Sequence, residues 1–317
     1  MHTPSHPADT FVVDDADPVR LDRFLVRHLP GWSRQRARTA ITAGAVLVNG
    51  RPGRKGRALR PGDIVRADRA AVDRALLPQP DLALPVLYAD HALVALDKPA
   101  GMPAVALRAD DRDTVANFLL GRYPELNGIG RSAFEAGLAH RLDTATSGVL
   151  VAGRSHAAWW HLRAQFRDQK VDKLYLALVA GDVRESGTVA APVAHRPRRP
   201  REMCACPQPE RARVLRARPA ITRYRPLQRI GTATLLAVRI PTGIRHQIRV
   251  HLASIGHPVL GDPLYGGAPA STAAARLLLH ATRLAFAHPI DARPVVIRSR
   301  MPADFAAALR RMRKRRC

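Results

Sequence analysis

The chain has 317 residues, 46% of them hydrophobic, which is enough for one large domain and a small one. Charge is the departure: 51 Lys and Arg stand against 26 Asp and Glu, a formal net charge of +25, and nearly all of the positive charge is arginine. Codon bias toward Ala and Arg is one source of such a balance. A polyanionic partner is the other, and arginine's planar fork, which grips phosphates and stacks on bases, suits RNA. Cys204, Cys206 and Cys317 are too few and too clustered for a disulfide framework. No basic-then-apolar leader opens the chain, and no apolar run approaches the ~18 residues of a membrane helix. The disulfide-scaffold and membrane-spanning classes are therefore excluded, and a cytoplasmic protein is expected.

In chain order, residues 1–16 are polar and read as a flexible tail. In VRLDRFLVRHL, Leu21, Phe24, Leu25 and Leu29 share one helical face. In GWSRQRARTAITAG, Ser33 suits an N-cap, Ile41 points inward and Gly44 suits a helix stop. AVLVNGRPG reads as a strand entering a turn at Asn49-Gly50, and RPGDIVRAD closes with a second strand. Residues 17–70 thus form a small α-α-β-hairpin module. Arg34, Arg36 and Arg38 follow its second N-cap. They are either a solvated helix face or, with the helix amides, a phosphate site, and Lys55 and Arg60 near the hairpin favour the second. Residues 71–84 are Ala/Pro-rich and read as a linker.

Beyond residue 85 come strand-like runs, PVLYAD, ALVALDKPAG, GVLVAGR, LYLALVAG, TATLLAVRI and RLAFAHP. Between them lie helical candidates TVANFLLGRY, AAWWHLRAQFRDQ and HQIRVHLASIG. Strands and helices do not alternate strictly. An α+β domain over 85–310 is therefore predicted, a mostly antiparallel mixed sheet with flanking helices. ADFAAALRRMRKRRC closes the chain as a short helix running into a basic tail, 311–317.

Three stretches bear groups able to do chemistry. In HRLDTATSGVL, Asp143 sits among small and apolar residues, as a turn-maker or as a reagent. In KLYLALVAG, Lys173 and Tyr175 share one face of a strand. Tyr175 is then a core-edge residue or a stacking platform for a base. In PTGIRHQIRVHLASIGHPVLGDPLYGG, Thr-Gly opens a helix in which Arg245 and Arg249 lie four apart, as do Ile248 and Leu252 on another face. Such a helix can bury one side and aim an arginine inward at a carboxylate, or present a phosphate-binding row.

HRLDTATSG, the K-x-Y of KLYLALV, TGIRHQIRVHLASIGHPVLGD-x-x-YG and the upstream VLYADHALVALDKPAGMPA together resemble the RluA-type pseudouridine synthases, in the family's order over about residues 85–300. RLDRFL, SRQRARTAI, GAVLVNG and PGDIVR resemble the small RNA-binding module of a ribosomal protein and several rRNA-modifying enzymes. The resemblance implies the pseudouridine synthase fold and cofactor-free isomerisation of uridine in RNA. It implies Asp143 as the catalytic aspartate, Tyr175 as the tyrosine stacking on the uracil, Arg249 as the aspartate's partner, and Arg141 near the space vacated by the flipped nucleotide. Arg34, Arg36, Arg38, Lys55, Lys173 and Arg245 are expected to contact RNA. Large-subunit rRNA is the expected partner and tRNA the alternative, with no membrane, no metal and no nucleotide cofactor, and the chain a monomer. A non-catalytic RNA-binding or ribosome-assembly factor on the same fold is the reading from another class. Ile244, Arg245 and Thr144 depart from the family pattern.

Cys204-Ala-Cys206 with His195 upstream invites a zinc reading, but a C-x-C without a second cysteine pair is weak, and an ordinary strand is expected there. Trp159-Trp160 reads as packing. Glycine-rich phosphate loops are absent, which argues against ATP or NAD.

Overall fold

The computed structural model describes residues 8–314 apart from 15–17, 31, 43, 55, 69–75, 200, 268–269 and 271–272. The chain divides into two compact units, residues 1–81 with 105–136, and residues 82–104 with 137–317.

The first unit begins with a strand, β1 (Asp9–Val12), where the sequence suggests only a tail. It pairs antiparallel with residues 64–67, and Phe11 packs edge-on against Phe24. That apolar anchorage at every second residue is why the segment is ordered. A two-residue strand, β2 (Val19–Arg20), leads into α1 (Leu21–His28), and α2 (Arg34–Thr42) follows. Leu21, Phe24, Leu25, Leu29 and Ile41 are all buried, as their spacing predicts. The Arg36 amide donates to the Ser33 hydroxyl, the expected N-cap. Then come β3 (Val46–Val48), β4 (Arg51–Pro52), β5 (Ala58–Leu59) and β6 (Ile64–Ala67), giving a four-stranded sheet in the order β1-β6-β3-β4. Asn49 and Gly50 both have positive φ, as the tight turn between β3 and β4 requires.

The rest of this unit is α3 (Val115–Arg122) and the segments around it. Residues 71–75 of the expected linker lie outside the described residues, but 76–81 are anchored. The Asn117 amide donates to the Leu77 carbonyl, and Gln79 and Asp113 exchange two hydrogen bonds. These bonds make 76–81 a packed element, and the unit boundary falls at 81 with 105–136 assigned to the first unit, where the sequence places one domain over 85–310.

The second unit is built on a nine-stranded sheet. Its strands are β7 (Val86–Ala89), β8 (Leu93–Lys98), β9 (Ser147–Gly153), β10 (Asp172–Ala180), β11 (Gly187–Val189), β14 (Thr222–Ile230), β15 (Ala233–Arg239), β16 (Leu279–Ala287) and β17 (Pro294–Arg298). A separate hairpin joins β12 (Val193–His195) to β13 (Met203–Ala205). The sheet order is β11-β14-β15-β10-β16-β9-β8-β7, with β17 also on β16. Every pairing is antiparallel except β9 with β16, so the expected mixed, mostly antiparallel sheet is present. The described helices are α4 (His156–Arg167), α5 (Pro209–Val214), α6 (Gln247–Ser254) and α7 (Ala303–Lys314). Leu162 of α4 packs into a core with Val149, Val151, Leu284 and Phe286, while Phe305, Ala308 and Leu309 of α7 pack on Leu178 and Leu235.

Two details position the site. Helix α6 begins at Gln247, not at Thr242-Gly243 as the sequence suggests, because the buried Gln247 carboxamide accepts from the Ile244 amide and the Thr242 hydroxyl. Gly148 has φ +118° and pairs with Ala281, where an added Cβ would lie 2.2 Å from the Ala281 carbonyl oxygen. Only glycine lets β9 and β16 approach so closely just after the Asp143 turn.

Candidate active site

The site lies wholly within the second unit, at the turn that precedes β9. The Thr146 amide donates to the Asp143 carbonyl at 3.0 Å, so the backbone of Asp143 makes the turn and leaves its side chain free. Behind the turn, at the end of β8, the Lys98 ammonium is fully buried and donates to the carbonyls of Pro99 (2.8 Å), Met102 (2.7 Å) and Thr144 (3.0 Å). Burial pulls the Lys98 pKa down to about 7, against the opposing pull of the Asp143 charge. Three carbonyl acceptors match the three donors of an ammonium and exceed the two of a neutral amine. Lys98 therefore clamps the turn in its charged form.

Arg249 projects from α6 toward the turn. Its Nη1 donates to Asp143 Oδ2 at 3.2 Å, while Nε and Nη2 make two 2.7 Å bonds to Asp262. The Asp262 side chain is 0% exposed and that of Asp143 is 24% exposed. Burial works against the Arg249 charge, but the hydrogen bonds and charge of Asp262, then of Asp143, raise its pKa above the ordinary value. Asp262 Oδ1 also accepts from the amides of Leu264 and Tyr265. The guanidinium is thus fixed from behind by a buried carboxylate and offers one edge to Asp143.

His246, in left-handed conformation at the N-terminus of α6, completes this side. The Tyr265 hydroxyl accepts from the Met203 amide at 2.7 Å and stands 2.8 Å from His246 Nδ1. Burial lowers the His246 pKa to about 4, so the ring is neutral at pH 7. The Tyr265 hydroxyl then donates to Nδ1, and the ring carries its proton on Nε2, 3.9 Å from Asp143 Oδ2. Tyr265 also lies under the Arg249 guanidinium, 5.1 Å from ring centroid to Cζ. Among the described residues, the contacts on the Asp143 carboxylate converge on Oδ2, and Oδ1 of this partly exposed side chain makes no hydrogen bond or ion pair.

Tyr175 is buried on β10, paired with Val238 and Ala281 on the flanking strands, and Ala281 in turn pairs with Gly148 on β9, so Tyr175 lies two strands across from Gly148. Burial, and after it the Asp143 charge, raises the pKa of its hydroxyl above the ordinary value, which keeps the ring neutral. The structure therefore places Arg249 against Asp143 and Tyr175 within reach of the Asp143 charge. Lys173 differs from expectation. It is buried, and its ammonium donates to the carbonyls of Pro241 (3.0 Å) and Thr242 (3.3 Å), so it holds the loop before α6 and is not free for phosphate. Burial lowers its pKa to about 8. Arg141 and Arg245 are exposed near the turn and the α6 N-terminus.

In the first unit, Arg34 is exposed, the Arg36 guanidinium stands 5.6 Å from the Trp32 ring centroid, and Arg38 is tied to the buried Asp22 carboxylate at 3.1 Å. Lys55 lies outside the described residues. Sequence reasoning missed Asp262, Lys98, His246 and Tyr265 as site residues. The only signal for them was their presence in the motif blocks DKPAG, GIRHQ and GD-x-x-YG. Met203 to Ala205 form the expected strand, and the Cys204 and Cys206 sulfurs are 3.8 Å apart.

The second unit is thus an α+β fold on a mixed sheet that sets an aspartate on a turn against a buried arginine, with a buried strand tyrosine that feels the aspartate's charge. The comparisons agree with it. Residues 92–254 match the family model described as RNA pseudouridylate synthase, and residues 19–65 match the S4 domain. An uncharacterized RNA pseudouridine synthase of Chloroflexus aurantiacus is 37% identical over 93% of this chain and 90% of its own. Ribosomal large subunit pseudouridine synthase D of Nitrosomonas europaea is 35% identical over 95% of this chain and 87% of its own. The solved structure of Human RNA Pseudouridylate Synthase Domain Containing 1 superposes with a TM-score of 0.55 at 26% identity, covering 69% of this chain and 83% of that one. The chain belongs to the RNA pseudouridylate synthase family and carries an S4 domain at its N-terminus. It is an isomerase acting on RNA. Among the described residues no helix is long and apolar enough to cross a membrane.

Proposed function

We propose that the chain converts specific uridines of large-subunit rRNA to pseudouridine in the cytoplasm, with Asp143 as the catalytic carboxylate, Tyr175 as the platform beneath the uracil and Arg249 as the aspartate's partner. The observation that carries this reading is the pairing of Arg249 with both Asp262 and Asp143, which engages one oxygen of the partly exposed Asp143 carboxylate and leaves the other without a bond. The rRNA target is supported by relatives named ribosomal large subunit pseudouridine synthase D and by the S4 domain.

The reaction breaks the bond from N1 of uracil to the sugar C1′ and forms one from C5 to C1′. C5 loses a proton and N1 gains one, so product and substrate are isomers and no oxidant is consumed. The base first leaves its stack, at a cost of a few kcal/mol. An aromatic ring under it offsets about 1–3 kcal/mol. Asp143 then attacks the sugar covalently or takes the proton from the carbon beside C1′. Both routes use a carboxylate held at one oxygen and presented at the other. Exposed Arg141 and Arg245 are proposed to hold the flanking phosphates, and Arg34 and Arg36 to do so in the S4 domain. Arg38 shares its charge with Asp22.

The test is pseudouridine mapping of rRNA and tRNA from cells with and without this protein. The reading predicts that particular large-subunit rRNA sites disappear and return when the protein is restored. Loss of sites in tRNA alone would overturn the target.

A further inference from the structure

The face of the sheet away from Tyr175 carries a row of arginines that the reaction does not use. Strand partners run Thr188, Arg223, Arg239, Leu174, Arg283, Arg298 across β11, β14, β15, β10, β16 and β17. Directly opposed residues share a face, and side chains alternate along a strand, so this row lies on the face opposite Lys173 and Tyr175. At ~4.8 Å per strand step the four arginines span about 19 Å. Farther along the same face, Leu176 and Leu178 are covered by α7, whereas Arg223, Arg239 and Arg298 are exposed.

The charge arrangement is unfavourable for the isolated protein. Arg223 directly opposes Arg239, and Arg283 directly opposes Arg298. Like charges so placed destabilise a sheet. Asp172, on the same face, pairs with Arg239 and Arg283. Arg223 and Arg298, with the exposed Arg225 two residues along β14, have no acidic partner among the described residues. The missing anions match a polyanion lying across the strands, and arginine forks suit phosphate in particular.

We propose that this arginine row is a second RNA-backbone site, separate from the uridine pocket, which holds a distal stretch of the same RNA substrate. It rests on the reading that the chain acts on RNA. A protein carrying Arg223→Gln, Arg225→Gln and Arg298→Gln leaves the pairs on Asp172 intact. Its affinity for a large-subunit rRNA transcript is measured as a function of salt beside that of wild type. Each lost phosphate contact lowers the slope of log K against log salt by about 0.7–0.9. The slope of the triple variant should be shallower by about 2.1–2.7, with KM raised and kcat at saturating RNA unchanged. An unchanged slope in a variant with wild-type circular dichroism and melting overturns the proposal. That result would leave the face to an acidic protein or to no partner. If the triple variant does not fold, Arg223→Gln and Arg298→Gln singly should each reduce the slope by about 0.7–0.9, and two unchanged slopes refute the site. Pseudouridine formation by wild type is read separately. Its absence would sink the functional reading, while the slopes still decide whether RNA contacts this face.

Discussion

Substitution of Asp262 by Asn tests how the site is built, because it separates stability from chemistry. Asp262 is fully buried and accepts four bonds, two from Arg249 at 2.7 Å and two from the amides of Leu264 and Tyr265. An asparagine has one oxygen. Either orientation turns its NH2 group against an Arg249 N–H or against the two amides, and a buried positive charge loses its closer counter-ion. Removing one partner of a buried pair costs about 3–5 kcal/mol. At about 2–4 °C per kcal/mol for a unit of this size, Tm should fall by roughly 6–20 °C. Asp143→Asn should cost no more than about 1 kcal/mol, because that carboxylate is partly exposed, makes one 3.2 Å bond, and leaves the Arg249–Asp262 pair intact. Thermal and urea unfolding of the two variants beside wild type checks this. Equal losses in the two, or an Asp262→Asn protein as stable as wild type, would refute the view that Asp262 holds Arg249 and Asp143 only receives it.

The other predictions concern the turn and the platform. Lys98→Met removes the clamp on the Thr144 carbonyl, and a shift of the turn approaching 1 Å should lower kcat by up to about 100-fold. Because buried Lys98 loses its proton near pH 7 and the unfolded chain holds it to about 10.4, the unfolded state binds more protons between these values. Stability should then rise with pH across that window while kcat falls, and in Lys98→Met both trends should weaken, as pH-dependent melting and pH–rate profiles will read. Tyr175→Ala should reduce kcat/KM about 5- to 150-fold through a lost stack of about 1–3 kcal/mol, and Tyr175→Phe, which keeps the ring, should stay near wild type. Gly148→Ala should lower the yield of folded protein sharply, because its methyl would meet the Ala281 carbonyl, and a normal melting curve for it would contradict the described packing.

The features legible in the sequence were those with a local cause. Leu21, Phe24 and Leu25 repeat at helical spacing, Asn49-Gly50 permits one kind of turn, and HRLD, K-x-Y and R-H-Q-I-R stand in a recognisable order. The features missed depend on distant partners. Asp262 precedes Pro263 and reads as a turn residue, since its role depends on a guanidinium thirteen positions earlier. Lys173 reads as a free cation because nothing local announces the two carbonyls that capture it. Strand β14, TRYRPLQRI, is absent from the sequence reading because its outer face bears arginines, and the bulge after Pro226 breaks its period. Strand β1 is hidden in a polar segment where, among the described residues, Phe11 and Val13 reach the core.

The central claim is that Asp143 performs the chemistry on a scaffold that does not need it to fold. The most direct measurement is pseudouridine content of large-subunit rRNA, taken from cells lacking the protein and incubated with wild type or Asp143→Asn at equal bound fraction. New pseudouridine is expected with wild type and none with the variant, at similar RNA affinity. Equal product from both would contradict it.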